Sequence, residues 1–100
     1  MALDPVQADP KHYKLEFEND RIRVLRVSYG PREKSVMHGH PPCIVVMLSD
    51  TDFRFKLPYG KIQDLMGKAG QILPIEEASE HLPENLSDKP FECVLIELKG

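Results

Sequence analysis

Apolar and polar residues alternate along most of this chain with a period of two, and the alternation is broken every ten residues or so by Pro, Gly, Asn or Asp. Tyr13, Leu15 and Phe17 alternate with Lys14, Glu16 and Glu18, which predicts a half-buried strand. Asn19-Asp20 is a turn signal, and Ile22 to Tyr29 is the returning strand of a hairpin, ended by Gly30-Pro31. After Met37-His-Gly-His40 and the break at Pro41-Pro42, the short run Cys43 to Leu48 is rich in Ile and Val and predicts a buried strand. Phe53, Phe55 and Leu57 alternate with Asp52, Arg54 and Lys56, Pro58-Tyr-Gly60 turns the chain, and Lys61 to Met66 returns. Gly67 to Gly70 is a further turn, followed by short strands at Gln71–Ile75 and His81–Asn85 around a polar connection, Glu76 to Glu80. The last strand, Phe91 to Leu98, is apolar on both faces, with Phe91, Cys93 and Leu95 on one and Val94, Ile96 and Leu98 on the other. Such a strand lies between two apolar layers, or packs one face on a partner chain.

Eight or nine short strands with no convincing helix predict an all-β fold, an antiparallel sandwich or barrel. Residues 1–11 carry Pro5 and Pro10 without periodicity and read as a loose arm, leaving residues 12–100 as one domain. A chain of 100 residues buries only a little over ~60% of its unfolded surface and gains from pairing, so a homodimer is expected.

Composition narrows the function. The net charge is −3, and the nearest basic run, Arg21, Arg23 and Arg26, alternates with apolar residues as on a strand with one wet face. Nucleic-acid binding, which needs clustered cations, is therefore not expected. No apolar run approaches the ~20 residues of a membrane span, and the first ten residues have neither the basic region nor the apolar core of a signal peptide. Two cysteines, Cys43 and Cys93, outside any Cys-x-x-Cys motif are expected to be reduced thiols, in keeping with a cytoplasmic location.

The chemistry rests with the histidines. His38 and His40 stand two apart, so on a strand both imidazoles leave the same face and can share one ion, or else hydrogen-bond to backbone at a strand end. His81 lies about forty residues on, beside Pro83. His12, in the arm, reads as a surface residue.

These residues resemble the bacterial cupins, whose two motifs are Gly-x5-His-x-His-x3,4-Glu-x6-Gly and Gly-x5-Pro-x-Gly-x2-His-x3-Asn. Gly70, His81 and Asn85 fall on the second motif at its own spacing, and His38-Gly-His40 on the first. The run from Glu16 to Lys99, with Lys34-Ser-x-Met-His-x-His40, Ala69-Gly-Gln71, His81-x-x-Glu-Asn85 and Val94-Leu-Ile-Glu-Leu-Lys99, is similar to the minimal cupins over about four-fifths of the chain. The sequence departs where the first motif's Glu gives way to Ile44 or Val45, its opening Gly to Arg32 and its closing Gly to Thr51 or Asp52. In the second motif Glu76 replaces Pro and Ala78 replaces Gly.

The resemblance implies a cupin-type jelly roll, or double-stranded β-helix barrel, in which His38, His40 and His81 hold a divalent transition metal ion such as Fe, Zn, Ni or Mn. Its remaining coordination positions are open to water or to an anionic or chelating small molecule. Cys43, Glu76, Glu77 and Gln71 are further candidates for the site, with Tyr59 and Arg54 as candidate pocket residues. The function implied is a metal-dependent oxygenase, isomerase or lyase acting on a small organic molecule. The alternative is a metal-free or non-catalytic cupin that binds or senses a small ligand.

Overall fold

Asn19 closes the first hairpin by accepting the backbone N–H groups of Arg21 and Ile22 at 2.8 and 2.9 Å, and two strands, β1 (Tyr13–Glu18) and β2 (Ile22–Tyr29), flank it. The structure, a computed structural model, describes residues 3–100. Along the chain follow β3 (His38–His40), β4 (Cys43–Met47), β5 (Thr51–Lys56), β6 (Ile62–Gly67), β7 (Ile72–Ile75), β8 (Ser79–Asn85) and β9 (Phe91–Leu98). The turn from β6 into β7 needs Gly70, whose φ of 87° side chains disfavour and whose N–H donates to Met47 O at 2.7 Å.

The strands form two antiparallel sheets, one ordered β1-β2-β9-β4-β7 and the other β3-β8-β5-β6. Leu25, Val27 and Tyr29 pair with Leu95, Cys93 and Phe91 across the β2–β9 ladder and turn inward together. Met47 and Phe53 join them in the core. The sheets face each other without joining: β1, β7, β3 and β6 are each paired on one side only. The expected barrel is thus two facing sheets and not a closed one. Pro74 in β7 and the brevity of β3, stopped by Pro41-Pro42, keep those edges from continuing a ladder.

Three sequence expectations change. Strand β1 buries only Tyr13, while Leu15 and Phe17 are about half exposed, because β1 is an edge strand and a bulge at Glu16 turns Phe17 to the outer face. Over residues 3–11, where a loose arm was expected, the chain forms a helical turn, α1 (Pro5–Ala8), capped by Asp4 and packed on β1 and β3. Met1 and Ala2, the rest of that arm, lie outside the described residues. His12 is buried and not on the surface, its ring stacked on Tyr29 with centroids 4.2 Å apart. Its Nδ1 meets Asp9 Oδ2 at 2.6 Å and its Nε2 meets Glu33 Oε1 at 3.0 Å.

Asn85, nearly fully buried, ties the Gly30 backbone to the turn at Ser87–Lys89. Its Nδ2 donates to Gly30 O and Lys89 O, at 3.1 and 2.9 Å, and its Oδ1 accepts from Ser87 N at 3.0 Å. Asn85→Leu strands those backbone groups in the interior and should lower unfolding stability by about 1–3 kcal/mol. Urea denaturation followed by circular dichroism reads the loss, and an unchanged midpoint would refute this role.

Candidate metal centre

The pairing of β3 with β8 sets His38 directly opposite His81, and the period of two brings His40 to the same face. The three rings meet edge to face: centroids lie 4.8 Å apart for His38 and His40, 5.0 Å for His38 and His81, and 5.1 Å for His40 and His81. One nitrogen from each gives a set lying within 4.8 Å of one another. Among the described residues no other group of three metal-ligating side chains is drawn together in this way.

The hydrogen bonds fix which nitrogens face inward. His38 Nδ1 lies 2.8 Å from Val36 O, and a carbonyl oxygen only accepts, so Nδ1 carries the proton. His40 Nδ1 lies 2.9 Å from Glu97 Oε2 and donates in the same way. With both rings neutral the two Nε2 atoms present lone pairs, and they face each other at 3.0 Å, a spacing that a shared ion or a shared proton satisfies. His81 Nε2 is buried with no hydrogen-bond partner. Nitrogens sharing one ion at about 2.0–2.1 Å stand roughly 3 to 3.5 Å apart. The His38 and His40 Nε2 atoms have that spacing, and three imidazoles drawn together in one buried group are the donor chemistry of a divalent transition metal, which His81 would join by a small closing movement of its ring.

Around the rings stand residues that the sequence reading missed. Glu97 accepts from His40, and Arg23 Nε donates to Glu97 Oε1 at 2.8 Å while its other arm reaches Asp4. Burial alone would raise the Glu97 carboxyl, but its bonds to His40 and Arg23 hold it below the usual carboxylate range. Phe55 stacks on His81 with centroids 4.9 Å apart, and Tyr13 sets its edge against His38 at 4.8 Å. A signal for Glu97 was present in the alternation of β9, where it follows Phe91, Cys93 and Leu95 on the inward face.

The other candidates lie elsewhere. Cys43 lines the cavity between the sheets but is not in the cluster, and burial pushes its thiol up to about 11, so it stays protonated. Glu76 and Glu77 are exposed. Gln71 is exposed too, its side chain accepting from Lys68 N in the β6–β7 turn. Tyr59 points fully into solvent, and Arg54 pairs with Asp64 on the outer surface.

The cavity that His40 and His81 border measures about 270 Å³ and is walled chiefly by aliphatic and aromatic side chains, Phe53, Phe55, Val45 and Leu65 among them.

Burial first, and the neighbouring histidines second, depress the site's imidazoles: His38 to about 4 and His81 to about 3. In the unfolded chain both titrate near ~6.5. Below that value the unfolded state takes up protons that the folded state refuses, so stability falls as the pH is lowered. Between about pH 7 and pH 5, above the range where most carboxylates titrate, each histidine should cost metal-free protein on the order of 2 kcal/mol. Urea midpoints across that window test this, and His81→Gln should make the slope shallower; equal slopes would contradict it.

No family model matches the sequence, and no curated protein matches it. Solved structures do resemble the fold. A cupin domain from Bordetella pertussis Tohama I superposes with a TM-score of 0.80 at 25% identity, covering 88% of this chain and 92% of that one. A protein with a double-stranded β-helix domain from Klebsiella pneumoniae gives 0.68 at 20% identity, over 90% of this chain and 75% of its own. The polyketide cyclase RemF from Streptomyces resistomycificus gives 0.61 at 13%, over 86% of this chain and 63% of its own. No helix among the described residues is long and apolar enough to cross a membrane. With its two facing antiparallel sheets and these neighbours, the chain is a small protein of the cupin superfamily, folded as a double-stranded β-helix.

Proposed function

We propose that this protein is a metal-binding cupin in which His38, His40 and His81 hold one divalent transition metal ion, Fe, Zn, Ni or Mn, at the end of a small-molecule cavity. The observation that carries the reading is the convergence of the three buried rings, with the His38 and His40 Nε2 atoms 3.0 Å apart while both Nδ1 atoms are engaged elsewhere. A bound ion of this kind acts as a Lewis acid on an oxygen ligand in its open positions. The chain's own part is to orient and to exclude water. Glu97 fixes the tautomer and ring angle of His40 and raises its basicity as a ligand, and Val36 O does so for His38. The apolar walls keep bulk water from the open face.

A second reading, a binding or sensing module without turnover, is favoured by the cavity lining. Apart from His40 and His81, its titratable groups are Tyr13, Tyr29, Cys43 and Cys93, all of them pushed upward by burial and so protonated at neutral pH. None is poised as a general base. Redox-active metal with turnover of a small molecule supports the enzyme; a retained organic molecule without turnover supports the binder.

The expected homodimer belongs to the same proposal, as does action in the cytoplasm. On the outer face of the larger sheet the register aligns Phe17, Val24, Ile96, Ile44 and Pro74 in one half-exposed apolar row across five strands. A second copy is the occupant that a chain of this size gains most from. Light scattering should give twice 11.4 kDa, and Ile96→Lys should give the monomer; a monomeric parent protein would refute the dimer.

Elemental analysis of untagged protein purified without chelators should find one metal ion per chain. His81→Ala should lose it while keeping the circular dichroism of the parent. Glu97→Gln should weaken metal binding about 10- to 100-fold, measured by competition with a chromophoric chelator. Metal retained at full stoichiometry in His81→Ala would overturn the assignment.

A further inference from the structure

The cavity and the charges behind it carry an inference about what sits there, resting on the three-histidine reading above. The described residues that line the cavity include no Lys, Arg, Asp or Glu. Its polar wall groups are largely spent on one another. The Tyr13 and Tyr29 hydroxyls bond each other at 2.7 Å, and Thr51 Oγ1 donates to Met47 Sδ at 3.0 Å. Gln63 and Ser79 remain as neutral polar groups. A ligand carrying a phosphate, a second carboxylate or several hydroxyls would leave those groups unpaired against Phe53, Phe55, Val45 and Leu65, at the cost of burying unbonded polar atoms.

Charge sets the other constraint. Behind the histidines stand Glu97, Arg23 and Asp4 in one bonded chain. Arg23 cancels one of the two carboxylates, and on the other side of the site the buried Asp9, bonded to His12 and Ser35, adds its charge beside His38. Together these groups offset an ion of charge two by at least one unit. A ligand can therefore bring one negative charge to the ion, whereas a second would stand in excess, with no cation in the wall to take it up. Size agrees: an apolar cavity of about 150 Å³ holds benzene, so 270 Å³ suits a body of one or two rings or a short alkyl chain.

We propose that the cavity takes a small, mainly apolar molecule bearing one negatively charged oxygen donor, with the oxygen on the three-histidine ion and the apolar body between the sheets. The test uses Co²⁺-loaded protein, whose visible spectrum reports a change in coordination. Titration with acetate, butyrate, hexanoate and phenylacetate should show affinity rising about fourfold per buried methylene, from ~0.8 kcal/mol each. Succinate and inorganic phosphate should bind more weakly than butyrate. Gln63→Arg, which places a cation on an exposed residue of the cavity lining, should reverse the order of succinate and butyrate. Cobalt taken up with affinity flat across the series, or with phosphate or succinate leading in the parent protein, overturns this proposal alone. Failure to take up cobalt at one ion per chain overturns the three-histidine reading, and this proposal with it.

Discussion

Two imidazole nitrogens 3.0 Å apart repel if both carry lone pairs, so the His38–His40 contact calls for a cation or a proton between them. Much of the molecule is arranged to hold that contact. The register of β3 on β8 puts His38 and His81 opposite each other, yet the groups that aim His40 come from the other sheet. Glu97 is the seventh residue of β9, Arg23 lies on β2, and Asp4 belongs to the segment that caps α1. The same Asp4 carboxylate group that starts the helical turn therefore also steadies the arginine that steadies the glutamate. Site and fold are not separable here, because the ring that faces the cavity is oriented by both sheets and by the N-terminal segment at once.

That arrangement gives physical content to the missing carboxylate of the first cupin motif. Ile44, one of the two residues in its place, lies on the outer face of β4, aligned with Ile96, while Val45 lines the cavity. The negative charge reappears one bond further out, on Glu97, where it acts through His40. A carboxylate bonded to the ion itself would lower the ion's charge and occupy a coordination position. One bonded to a ligating imidazole would stabilise a bound ion through a more basic nitrogen and leave that position open. The cavity side of the site thus stays free for an outside donor.

Strands were legible because a period of two survives in a chain whose sheets each keep one face inside: eight of the nine run close to where the alternation put them, β8 starting at Ser79 within the expected connection, while β3 was marked only by its pair of histidines. The His38–His40 pair was legible for the same reason, and His81 through its spacing from Gly70 and Asn85. What escaped the sequence depends on partners distant in the chain. Glu97 reads as a polar interruption of the strand's inward face until His40, fifty-seven residues away, is seen beside it. His12 reads as surface because nothing local announces that Asp9 and Glu33 flank it and Tyr29 covers it. Leu15 and Phe17 misled in the opposite sense: their alternation is that of a half-buried strand, but an edge position and a bulge left both side chains half exposed.

A void of 270 Å³ in so short a chain also bears on what the fold is for. Unfilled apolar space forgoes the contacts that packing would supply, and in protein cores that loss grows with the volume left empty. Packing alone would fill it. The walls offer the means, since enlarging Val45 or Leu73 would close the space with ordinary aliphatic volume. Instead Phe53, Phe55 and Phe91 hold it open beside His81, with the Phe55 ring stacked on that histidine. An interior that keeps such a space next to three converging imidazoles, and satisfies its tyrosine hydroxyls by pairing them with each other, has the form that the proposed small-molecule site requires. The stability forgone in the empty protein is then returned when an apolar body displaces water from the cavity.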